Sequence, residues 1–109
     1  MKNVLLIGDS IRMHYQDKVK ELLGADVKVF YPSENCRFTK YALWGLHEWM
    51  ESFGNPKLDV IHWNTGIWDL HRVTADGLPF TSIEEYTLYT ERLYTQMNSY
   101  TDKLIWATT

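Results

Sequence analysis

Cysteine is almost missing from this chain. Cys36 is the only one among 109 residues, which excludes an intrachain disulfide and fits a reducing compartment. Positive charge is not in excess either: Lys and Arg total 11 against 14 Asp and Glu, a net charge of −3, and they are scattered singly. With no basic stripe to neutralise phosphates, a nucleic-acid binder is not expected. No apolar stretch approaches the roughly 20 residues of a membrane span, and Met1-Lys2-Asn3 runs straight into an apolar segment without a signal-like h-region. A soluble, cytoplasmic protein with no membrane partner is therefore expected. With 3 prolines and 6 glycines there is no low-complexity segment, linker or repeat, and the length suits one domain. Aromatics, by contrast, are plentiful: 5 Trp and 7 Tyr, several of them in predicted loops.

The periodicity alternates between strand and helix. Val4-Leu5-Leu6-Ile7 is a short apolar run closed by Gly8, the pattern of a buried parallel strand. Ile11, Tyr15, Val19, Leu22 and Leu23 then recur at helical spacing, and Gly24 stands where such a helix stops. Residues 26–31 predict a second strand closed by Pro32, followed by a polar loop over 32–38. A second helix carries Leu43, Leu46, Met50 and Phe53, ended by Gly54-Asn55-Pro56. Residues 58–63 predict the third strand, and 65–81 a long loop. Ser82 and Glu85 form an S-x-x-E capping box. The helix it opens sets Ile83, Tyr86, Thr90, Leu93, Met97 and Tyr100 on one face. Residues 103–107 predict a fourth strand.

Strands separated by helices in this way imply a parallel sheet with right-handed crossovers and helices on both faces. The expected architecture is α/β: a three-layer α/β/α flavodoxin-like sandwich, sheet order 2-1-3-4, lacking the usual fifth strand. Leu104, Ile105 and Trp106 then form a bare apolar edge, and an uncovered edge templates association. Either the chain pairs with another copy through 103–107, or it is the C-terminally incomplete part of a longer domain.

Loops after the first three strands gather at one edge of such a sheet, where open α/β folds place chemistry. The first offers Asp9 and Ser10, the second Asn35, Cys36 and Arg37, the third Asn64, Thr65 and Gly66. Ser10 stands at or beside a helix N-terminus, where free N–H groups and the helix dipole favour developing negative charge. A nucleophile, backbone donors and a side-chain amide are the parts of an acyl-transfer site. The plainer roles are a helix N-cap for Ser10 and a strand-end turn for Asn64.

The block Val4 to Ile11, with Gly8-Asp9-Ser10 at its centre, resembles the first motif of the SGNH, or GDSL, hydrolases. Asp59 to Asn64 resembles the third motif, with His62 where that family has glycine. The resemblance implies Ser10 as nucleophile, its backbone N–H as an oxyanion donor, and the Asn64 side chain as a second donor. The glycine of the second motif is best matched by Cys36, whose backbone N–H is implied as the third donor. The D-x-x-H motif that supplies the family's base has no counterpart here. The resemblance thus implies an ester hydrolase working through an acyl-enzyme, impaired or inactive in this form. It implies a small acyl-ester substrate, acylated carbohydrates among the candidates, and no metal or organic cofactor.

A substitute base is the open question. His71 lies in the long loop with Asp69 nearby as an orienting carboxylate, and it is the candidate. His14, four residues after Ser10, shares its helical face, but side chains at that spacing run along the helix rather than toward its N-terminal hydroxyl. His62 is expected as a hydrogen-bonded core residue and His47 on the surface. Zinc on His62, Asp69 and His71 lacks any recognised ligand spacing and is set aside. Asp9 is expected to brace the turn. Trp63 and Trp68 flank the third loop, positioned either to stack on a ligand or to pack the core. The competing reading is a non-catalytic ligand-binding or self-associating module that retains a vestigial site.

Overall fold

Alternation along each strand decides which layer a residue serves. The computed structural model describes residues 1–108. Its strands β1 (Lys2–Gly8), β2 (Val27–Phe30), β3 (Val60–Asn64) and β4 (Leu104–Trp106) form one parallel sheet in the order β2-β1-β3-β4. Helices α1 (Ser10–Leu23), α2 (Thr39–Ser52) and α3 (Ile83–Asn98) connect them. This is the expected flavodoxin-like α/β architecture. Within the predicted 65–81 loop lies one 3-10 turn, Trp68–Leu70.

One face of the sheet is well covered. Leu5, Ile7, Ile61 and Trp63 are buried there with Leu46 and Met50 of α2 and Leu93 and Met97 of α3. Among the described residues α1 alone covers the opposite face. Beside α1, a groove of about 620 Å³ stays open over β3 and β4, lined by Leu6, Val60, Ile105 and, from α1, Ile11 and Leu23. Hence α1 buries less of its apolar stripe than the spacing predicts: Ile11 is 42% exposed and Leu22 73%. The fully buried side chain of α1 is instead Arg12.

Predicted helix ends are realised by their caps. Gly24 adopts φ +76° beyond α1, and its N–H donates to the Lys20 carbonyl. Ser82 Oγ accepts from the Glu85 N–H at 3.2 Å. Among the described residues no helix is long and apolar enough to cross a membrane.

Candidate functional site

Gly8 sets the geometry at the end of β1. A Cβ there would lie 2.6 Å from Arg12 Cβ and 3.3 Å from the Asn64 carbonyl oxygen. Lacking one, Gly8 lets the first turn of α1 close onto the sheet. Asp9 is buried and caps α1, its Oδ1 accepting from the Ile11 N–H at 2.9 Å. Ser10 is therefore not the cap but the first residue of the helix, exposed to solvent. Asn64 ends β3 directly across the ladder from Gly8. The GDS turn and Asn64 are thus neighbours at the C-terminal edge of adjacent strands.

Both implied side-chain and loop donors have partners of their own. Asn64 Nδ2 donates to the Ala107 carbonyl at 2.7 Å, while its buried Oδ1 has no hydrogen-bond partner among the described residues. The Cys36 N–H donates to the Gly8 carbonyl at 3.0 Å. In this geometry the N–H that the resemblance implies as an oxyanion donor is committed to the β1 end. The next N–H, of Arg37, is taken by Asn35 Oδ1 at 2.7 Å. The Cys36 thiol is fully buried, and that burial pushes its pKa up, away from a reactive thiolate.

Arg12 pins this loop in place. Its guanidinium donates to the Gly8 carbonyl at 3.2 Å, the Pro32 carbonyl at 2.7 Å and the Glu34 carbonyl at 2.5 Å, and to Gln16 Oε1 at 2.7 Å. It also lies 3.6 Å from Cys36 Sγ. The Glu34 side chain ties the same loop to α2: it accepts from the Tyr41 hydroxyl and from Trp49 Nε1, bonds that hold its carboxyl below the usual range.

Among the described residues no histidine hydrogen-bonds to Ser10. His71 is exposed and packs on the Trp68 ring, centroids 5.5 Å apart. Asp69 does not orient it. That carboxylate is buried and accepts from Thr39 N–H at 3.1 Å, Thr39 Oγ1 at 2.8 Å and Thr81 Oγ1 at 2.8 Å. Asp69 thus clamps the start of α2 to the long loop. His62 is half-buried, its Nδ1 3.5 Å from the Tyr15 hydroxyl, and burial lowers its pKa. His47 Nδ1 sits 2.7 Å from the Trp44 carbonyl, and His14 is exposed on α1. Trp63 is buried and stacks on Trp106, its partner across the β3–β4 ladder, with centroids 5.3 Å apart. It serves the core rather than a ligand.

Sequence reasoning missed Arg12 and the Asp69 clamp. A charged residue four positions after Gly8, inside an apolar stripe, was the available signal for the first. The second joins residues 30 apart and leaves no periodic trace. No family model matches this sequence, and no curated protein matches it.

Proposed function

We propose that the GDS turn is a serine acyl-transfer site of the SGNH type and that this chain acts on small acyl esters. The observation that carries the reading is positional: an exposed Ser10 in the first turn of α1, with Gly8 in register with Asn64. Ser10 Oγ attacks the acyl carbonyl. The oxyanion is met by the Ser10 N–H and by Asn64 Nδ2, which carries two hydrogens and gives one to Ala107. The Ser10 hydroxyl proton passes through water to the departing alkoxide, which leaves as the alcohol. A second water then attacks the acyl-serine, releasing the carboxylic acid and returning a proton to Ser10 Oγ.

Without an oriented histidine the rate falls several powers of ten below that of a complete triad. The test is release of p-nitrophenol from p-nitrophenyl acetate by the parent and by Ser10→Ala. Slow release that needs Ser10, with one acetyl group found on the Ser10 peptide by mass spectrometry, is expected. Equal rates in the two proteins and no acetylated Ser10 defeat the reading. His71→Ala, measured beside them, reports whether the exposed loop histidine serves as base.

A second reading has its own support. The committed amides of Asn64 and Cys36 and the half-exposed edge residues Ile105 and Trp106 suit a self-associating module that keeps the turn without the chemistry. In either case the lone buried thiol suits a reducing, cytoplasmic setting.

A further inference from the structure

A second site lies away from Ser10, along the seam between α2 and α3. Lys40, Trp44 and His47 recur on one face of α2, and Glu85, Tyr89 and Arg92 on one face of α3, each at helical spacing. Two hollows of about 460 and 430 Å³ run along this seam and share Lys40, Trp44 and Tyr89. Core packing does not account for them. Trp44 is 56% exposed and Phe80, at the upper end, 46%.

Flat aromatic surface and polar groups alternate along the groove. Phe38 and Phe80 lie with centroids 5.0 Å apart, Phe38 and Tyr41 6.0 Å, and Tyr41 and Trp44 6.1 Å, all tilted rather than stacked. Trp44 and Phe80 are the exposed rings of this row, while the Arg37 guanidinium stands over Tyr41, 4.9 Å from its centroid. Lys40 Nζ stands 4.9 Å from the Tyr89 centroid and Arg92 Cζ 5.8 Å, so two cations converge on one ring. Among the described residues neither makes a salt bridge. Glu85 and Gln96 add acceptors. Lys40 and Arg92 both line the second hollow and Glu85 the first, so on a chain of net charge −3 the positive charge is local to the second.

An alkyl chain would leave these polar groups desolvated without partners. A sugar ring matches them better, since it presents an apolar C–H face to an aromatic platform and a rim of hydroxyls to donors and acceptors. The paired cations call for a carboxylate. We propose that the α2/α3 seam binds a uronate-bearing oligosaccharide, its rings on Trp44 and Phe80 and its carboxylate at Lys40 and Arg92. The upper end of the seam, at Phe38 and Phe80, lies in the loops of the sheet edge that carries Ser10. Binding itself makes no use of Ser10.

Calorimetric titration at low salt with tri-galacturonate and with cellotriose tests this. Saturable binding of tri-galacturonate alone is expected. Trp44→Ala, and separately the pair Lys40→Ala with Arg92→Ala, should weaken it by about tenfold or more. These three side chains are exposed, so the fold should persist, as circular dichroism will verify. Ser10→Ala should bind as the parent does, which separates this inference from the esterase reading. No binding, equal binding of cellotriose, or undiminished binding by Trp44→Ala overturns the proposal.

Discussion

Arg12 takes its guanidinium into the interior, where among the described residues it forms no salt bridge. Its compensation is dipolar: the carbonyls of Gly8, Pro32 and Glu34 and the side-chain oxygen of Gln16 converge on the guanidinium. Only a planar fork can reach donors toward so many directions from one helix position. Removing it strands several buried acceptors together. Arg12→Met should therefore cost on the order of 3–5 kcal/mol in urea unfolding. It should also speed hydrogen exchange at the Cys36 amide, because the loop over residues 32–37 loses its anchor while the Cys36–Gly8 bond alone remains. Arg12→Lys keeps the charge but not the fork and should fall between the two proteins. A loss of less than about 1 kcal/mol in Arg12→Met would show that water replaces the guanidinium at little cost. Counting apolar residues along α1 does not reveal this role, since the stripe singles out Ile11, Tyr15 and Val19 and passes over their charged neighbour.

Among the elements, α3 shows how far a sequence stripe translates into burial. Its apolar spacing runs from Ile83 to Tyr100, yet Leu93 and Met97 are the fully buried members, while Ile83 is 70% exposed. The C-terminal half of α3 packs on Trp63 and α2, whereas its N-terminal turn overhangs the long loop beside β4. Leu93→Ala should lower stability by about 2–5 kcal/mol through the cavity it leaves. Ile83→Ala, on the same stripe, should stay within about 0.5 kcal/mol. Comparable losses at both positions in thermal unfolding would mean that Ile83 has cover the structure does not display. Strand order, helix ends and the gathering of the GDS turn and Asn64 at one sheet edge were legible because they follow from period, caps and parallel crossovers. The loop chemistry was not. Whether Asp69 faces His71 or Thr39, and whether the Cys36 N–H is free, depends on tertiary hydrogen bonds that no periodic pattern encodes.

The molecule as a whole is unequal on its two faces. Two helices close one side of the sheet, one helix half-closes the other, and β4 ends the sheet with Ile105 53% and Trp106 47% exposed. Its hydrogen bonding states which groups are available. The Lys103 carbonyl accepts from the Ile61 N–H, and the Ala107 N–H donates to the Trp63 carbonyl. By alternation Lys103, Ile105 and Ala107 turn their backbone toward β3, leaving the N–H and C=O of Leu104 and Trp106 directed outward. A two-fold axis at Ile105 would set Leu104 of one copy opposite Trp106 of the other, with each residue both donating and accepting. It would also bring the two Ile105 side chains together on the α1 side, joining the open grooves. If the self-association reading holds, the parent chain sediments as a concentration-dependent dimer. Ile105→Lys, which sets two charges against each other at that axis, sediments as a monomer with unchanged circular dichroism. A parent that stays monomeric at every concentration, or an Ile105→Lys variant that associates equally well, removes this reading. The edge would then be exposed without being adhesive, its short length alone limiting pairing.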